Sequence, residues 1–206
     1  EGDIMSDTKE KILITALRLF SSDGFEAVSV SDIAGELGIT KGALYKHYKN
    51  KRDIFESIVK RMCESDSERS QNYSVPKEDF DKSPAGYDSV SIESIKGFTV
   101  AQYIYWTEDE LASYFRRMLT LEQYRSPEMA ELYGKCITSG PVAYLEDIFR
   151  GMTERGILKK ADPHLLATEY YAPLFLLINM AESQSKSDAL NTLNDFINKF
   201  FDQNKI

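Results

Sequence analysis

Apolar residues recur three and four positions apart through most of this chain, and nowhere do they alternate as a strand would. Ile12, Leu13, Ala16, Leu17 and Phe20 form the inner stripe of a first helix over about 8–22, which Gly24 ends. Val30, Ile33, Ala34 and Leu37 repeat the pattern. Ser29 is the N-cap of this second helix, Asp32 favours the positive end of its dipole, and Gly38 is its left-handed stop. Thr40 caps a helix of about two turns over 41–48, in which Leu44 and Tyr48 face inward. Asn50 caps a fourth helix, with Asp53 at its third position and Ile54, Phe55, Ile58, Val59 and Met62 inside. Three capped starts in so short a stretch enforce short helices and sharp corners.

Further on, residues 70–90 hold two prolines and many polar side chains and read as a connector, with a flap over a ligand entrance as the alternative. Helical periodicity returns over about 91–106. Thr107, with Glu110 three residues on, opens another helix as a capping box. Ser126-Pro127 opens a long one reaching about 155, with a kink or restart expected at Gly140-Pro141. Asp162-Pro163 starts an eighth helix, and Leu190, Leu193, Phe196, Ile197, Phe200 and Phe201 mark a ninth. The pattern predicts an all-α protein of about nine helices. A helix-turn-helix domain is expected over 5–52, a connecting helix over 51–69 and a second helical domain over 70–206.

Charge sharpens this picture. The net charge is −8, yet residues 5–62 carry ten Lys+Arg against eight Asp+Glu, and no acidic residue lies between Leu37 and Arg52. Lys41, Lys46, Lys49, Lys51 and Arg52 fall in that window, and Thr40, Lys41, Ala43, Lys46 and His47 are left outside once Leu44 and Tyr48 turn in. A gap in negative charge on an acidic protein suits a surface that meets phosphate. A solvated helical hairpin accounts for the charges alone, but not for the caps, the glycine stop and the cations together.

Residues 9–62 resemble the N-terminal domain of TetR-type (tetracycline-repressor-like) regulators. The match is carried by LFSSDGFEAVSV, then SDIAGELGITKGALYKHYKNK, then an apolar helix beginning DIF. The resemblance implies an all-helical homodimer on a palindromic operator in double-stranded DNA, with a small-molecule effector bound by the remainder. On the family pattern Lys41 and Gly42 approach bases, Ala43 meets a thymine methyl, and Tyr45 and His47 hold phosphates. Thr40 and Lys46 complete the surface, and Ser29 and Lys51 anchor phosphates at helix starts.

The resemblance places the effector pocket between the fourth and eighth helices. Residues 98–149 are dense in aromatics and methionine, although core packing accounts for any one of them. The candidates are Tyr103, Trp106, Tyr114, Phe115, Met118, Glu122, Tyr133, Tyr144 and Tyr171, which suit an apolar or aromatic effector. Glu122 continues the stripe Leu111, Phe115, Met118 and is expected inside. There it pairs with an arginine such as Arg117 or Arg125, or meets a cationic ligand. The last two helices have apolar faces too broad for one intrachain contact. The resemblance implies that Leu174, Leu177, Ile178, Leu193, Phe196, Ile197 and Phe200 pair with their copies in a second subunit.

Nothing points to catalysis, a metal or a cofactor. The two histidines, His47 and His164, are far apart, and no phosphate loop, metal-spaced cluster or nucleophile elbow occurs. Cys63 and Cys136 read as ordinary thiols. With no signal peptide and no apolar run of spanning length, a cytoplasmic protein without membrane contact is expected, starting naturally at Met5 after residues 1–4. The leading reading is a ligand-released repressor. The alternative is a small-molecule-binding or enzymatic helical protein whose DNA module is vestigial, which the intact cationic helix disfavours.

Overall fold

The computed structural model describes residues 2–76, 84–87 and 89–206. The middle of the expected connector, 77–83 and 88, lies outside them, and with it the question of a flap. The described residues form ten α-helices: α1 (Gly2–Asp23), α2 (Val30–Glu36), α3 (Lys41–Tyr45), α4 (Lys51–Asn72), α5 (Ile92–Glu108), α6 (Glu110–Glu122), α7 (Pro127–Ile137), α8 (Ser139–Glu154), α9 (Pro163–Asn179) and α10 (Lys186–Asn204). A 3-10 turn spans Pro84–Tyr87, and an isolated bridge joins Leu158 and Lys205. None of the described helices is long and apolar enough to cross a membrane.

The expected long helix over 126–155 is two helices, α7 and α8, broken at Thr138 (φ −125°, ψ −86°). Close approach enforces glycine just past the break. A Cβ on Gly140 would stand 1.9 Å from the Lys135 carbonyl oxygen.

The chain forms two compact units, each drawn from separate stretches of sequence. The first holds Glu1–Ser65 and Asp109–Tyr133. Its core is the α1 stripe of Ile12, Ala16, Leu17 and Phe20 with Ile33, Leu44, Ile54, Phe55 and Ile58, all at most 2% exposed. α6 packs along α1 and adds Ala112, Phe115, Met118 and Leu119 to that core. Asp109–Tyr133 therefore sits with the N-terminal helices, although sequence pattern alone groups it with everything after residue 70.

The second unit holds Asp66–Glu108 and Gly134–Ile206. α9 packs on α8, α10 and α5. Phe149, Tyr170, Phe200 and Phe201 meet edge-on or tilted at centroid separations of 4.8–6.4 Å, within the range where aromatic quadrupoles attract. The Tyr170 hydroxyl pairs with Thr99 Oγ1 at 2.9 Å, so its burial leaves no polar group stranded.

Candidate nucleic-acid interface

Each corner of the 28–50 hairpin is built by short-range hydrogen bonds. At the start of α2, Ser29 Oγ accepts the Asp32 N–H (3.2 Å) while Asp32 Oδ2 accepts the Ser29 N–H (2.7 Å), a reciprocal capping box. The Ser29 hydroxyl also donates to Asp32 Oδ2 at 2.6 Å. These bonds from the Ser29 side chain and backbone hold the Asp32 carboxyl below its ordinary value of 3.8. Gly38 takes φ +65°, and the Ile39 N–H returns to the Ala34 carbonyl to close α2. Thr40 Oγ1 accepts the Ala43 N–H at 3.1 Å and opens α3. Asn50 Oδ1 accepts the Asp53 N–H at 2.9 Å and opens α4.

These caps orient α3 by burying two anchors. Leu44 is fully buried, and Tyr48 is 2% exposed with its hydroxyl on the Lys9 carbonyl at 3.2 Å. Burial pushes the Tyr48 phenol up to about 12, so it stays a neutral donor. The opposite face is open. Thr40, Lys41, Gly42, Tyr45 and Lys46 are exposed, and Ala43 and His47 are half-buried. Tyr45 is 51% exposed, a large fraction for an aromatic ring. Lys49, at the end of this face, is also exposed and extends the cationic surface. No carboxylate lies on residues 38–52, which favours approach of a polyanion to this face.

Two expected phosphate anchors have other partners. The Ser29 hydroxyl and N–H are both committed to Asp32, whose charge opposes a phosphate there. Lys51 Nζ donates to the carbonyl oxygens of Phe25 (2.5 Å) and Glu26 (3.2 Å) and lies 4.4 Å from the Phe25 ring centroid. Arg52 pairs with Glu56 and Glu128. Of the five bases in the window, Lys41, Lys46 and Lys49 are exposed as whole residues, while Lys51 and Arg52 are half-buried and engaged by the partners just named.

The nine effector candidates divide between the units. In the first, Phe115 and Met118 are core residues at 1% and 0% exposure. Glu122 is buried, accepts the Phe25 N–H at 2.9 Å and faces Arg125 Nε at 3.4 Å. The arginine alternative for Glu122 is thus the one with a partner in place, together with a backbone donor that periodicity cannot reveal. Tyr114 donates to Glu110 at 2.9 Å, and Tyr133 is half-buried. In the second unit, Tyr103 is buried, while Trp106, Tyr144 and Tyr171 are half-buried. The Tyr144 hydroxyl donates to the Pro76 carbonyl (2.8 Å) and the Tyr171 hydroxyl to the Ile137 carbonyl (2.6 Å), so both phenols serve the fold.

The expected subunit interface also meets the core. Leu174, Leu177, Ile178, Leu193, Ile197 and Phe200 are each at most 6% exposed within the single chain, and only Phe196 is half-buried. The large apolar side chains that α9 and its C-cap leave in solvent are Leu165, Leu176 and Met180, at 66%, 57% and 39% exposure, with Ala172 on the same helical face.

The model of the bacterial regulatory proteins of the tetR family matches residues 12–58, which contain this entire hairpin with parts of α1 and α4. Over these residues the chain is similar to the TetR family. The chain is 43% identical over 60 residues to the uncharacterized HTH-type transcriptional regulator YerO of Bacillus subtilis. It is 46% identical over 52 residues to the regulator AcrR of Shigella flexneri. These matches cover 29% and 25% of this chain, and the chain spans only 19% and 24% of the relatives' lengths. At the level of fold the likeness runs full length. SmeT, the repressor of the Stenotrophomonas maltophilia multidrug efflux pump SmeDEF, aligns with a TM-score of 0.65 at 20% identity, covering 96% of this chain and 90% of SmeT. SmeT in complex with triclosan aligns with a TM-score of 0.69 at 18% identity over 97% and 92% of the two chains. The flavonoid-responsive regulator FrrA gives 0.60 at 22% identity over 97% and 98%. The chain therefore shares its fold with these solved structures over nearly its whole length.

Proposed function

We propose that this protein is a homodimeric transcriptional repressor that binds a palindromic operator and is released by a small apolar or aromatic effector. The observation that carries this reading is the open face of α3. It is a short helix anchored by Leu44 and Tyr48, capped at Thr40, and presenting Lys41, Gly42, Ala43, Tyr45 and Lys46 on a stretch that carries no carboxylate of its own. Lys41 reads a base edge, while His47 and Tyr45 hold phosphates. One such helix makes few base contacts, and two-fold symmetry doubles them. The second copy docks on the α9 face of Leu165, Ala172, Leu176 and Met180, the apolar surface that the subunit's own core does not use.

The effector site of this reading lies in the second unit, around Tyr103, Trp106, Tyr144 and Tyr171. Gln102, on the same helix as Tyr103 and Trp106, has a buried amide oxygen without a hydrogen-bond partner, and its amide nitrogen donates to Asp66 at 3.2 Å. A ligand carrying a hydroxyl or N–H donor beside an aromatic ring would satisfy that oxygen. SmeT's complex with triclosan, a phenol, and the flavonoid response of FrrA are consistent with such chemistry in this fold.

The test is selection of duplexes from a random library by the purified protein, followed by anisotropy on the selected site. Selection should return a palindrome with half-sites about 10 base pairs apart. Lys41→Ala should relax preference at one position of each half-site, and His47→Ala should weaken all sequences alike. A library that returns no enriched sequence refutes the proposal.

A further inference from the structure

We propose that the corner between α6 and α7 is a brace that holds the DNA-reading hairpin in its binding posture, with Glu122 and Glu128 as its two positioning residues. This rests on the reading of the α3 face as an operator-binding surface.

Glu122 is 1% exposed, and its Oε1 accepts the N–H of Phe25, 97 residues away in sequence. The carbonyl of the same Phe25 is taken by Lys51, the first residue of α4. Phe25 is thus gripped at its N–H from α6 and at its oxygen from α4, while its ring packs on Phe20 and Phe55 at 5.1 and 5.0 Å. The approach is close enough to require Gly24. This residue has φ +86°, and a Cβ there would stand 2.7 Å from Glu122 Oε1.

Six residues beyond Glu122, Glu128 in the first turn of α7 receives both terminal nitrogens of Arg52, with Arg52 Nη1 to Glu128 Oε2 at 3.1 Å. Arg52 is the second residue of α4. One short corner, 122–128, therefore holds the turn that enters the α2–α3 hairpin and the helix start that leaves it. The hairpin is suspended between two points fixed by the same element.

Stability does not explain the Arg52–Glu128 half of this arrangement. The Arg52–Glu128 side chains are 43% and 60% exposed, and such pairs contribute little to folding. A carboxylate on a DNA-binding unit also opposes the approach of a polyanion. The arrangement is accounted for if the pair sets geometry.

That opposition supplies a test whose sign is decisive. Electrostatics alone predicts that Glu128→Gln, which removes a negative charge, tightens binding to every duplex. The brace predicts about a tenfold loss of operator affinity over the two heads of a dimer, with binding to a scrambled duplex unchanged or tighter. Glu122→Gln keeps an acceptor for the Phe25 N–H and should lose less operator affinity than Glu122→Leu, which keeps none. Glu128 is exposed, so its variant tests the idea even if the Glu122 variants fold poorly. Operator binding by Glu128→Gln that equals or exceeds that of the parent protein overturns the brace. Amide hydrogen exchange reads the brace without DNA: Ala43 and Leu44 should exchange faster in Glu128→Gln, and unchanged exchange overturns it equally. Failure of the underlying reading has a separate signature, since the parent protein would then not distinguish operator from scrambled duplex.

Discussion

Gly42 separates folding from function more cleanly than any other position on the reading surface. It lies in the first turn of α3, is exposed, and does not have a positive φ. A Cβ added there meets only Thr40 Oγ1, at 3.8 Å, which is ordinary contact. Gly42→Ala should therefore cost nothing in packing. It should stabilise the protein by about 0.5–1 kcal/mol, because glycine surrenders more backbone freedom on entering a helix than alanine does. For a chain of this size that raises Tm by roughly 1–4 °C. On DNA the sign reverses. If the α3 backbone approaches base edges at Gly42, the added methyl intrudes on that contact at a cost of about 1 kcal/mol per head. Two heads then lose about 2 kcal/mol, or roughly 30-fold in affinity. Scanning calorimetry and anisotropy on one preparation measure both quantities. Operator affinity equal to the parent's would remove Gly42 from the interface, and a lowered Tm would show that the α3 backbone is not the relaxed helix described.

Three further outcomes are expected. Lys51→Met should lower stability by about 1–3 kcal/mol, because it leaves the Phe25 and Glu26 carbonyls without their charged donor, and chemical denaturation will measure it; a loss confined to DNA affinity would return Lys51 to the phosphate-anchor role. Leu176→Glu should give a folded monomer in sedimentation, whereas Leu177→Glu should unfold the second unit by burying a charge at a 5% exposed site; a folded monomer from Leu177→Glu instead would move the interface back to the core-facing side of α9. Asp32 has a depressed carboxyl, so its contribution is present above the unfolded value of 3.8 and lost as pH falls through the lower folded value; Asp32→Asn should flatten the acid limb of the stability–pH curve, and an unchanged limb would mean that the capping box is not held by charge.

What the sequence determined by itself is local. Ser29, Thr40 and Asn50 cap helices because a short side-chain acceptor reaches a backbone N–H three residues on, and Gly38 stops α2 because it can adopt a positive φ without strain. Leu44 and Tyr48 lie inside and Lys41 and Lys46 outside because one short helix has only two faces, whereas Tyr45, near the boundary by sequence, is exposed in the structure. Helical periodicity likewise shows that Phe115, Met118, Glu122 and the α9–α10 stripes are buried, but it contains no information about what buries them. Tertiary structure decided that. It laid α6 on α1, joined Glu122 to a backbone N–H 97 residues away, turned Lys51 onto two carbonyls, and used Leu177 and Phe200 inside the subunit. Contacts between residues distant in sequence depend on how whole faces fit and on which polar groups must be satisfied once water is excluded. Those requirements arise only when the helices come together.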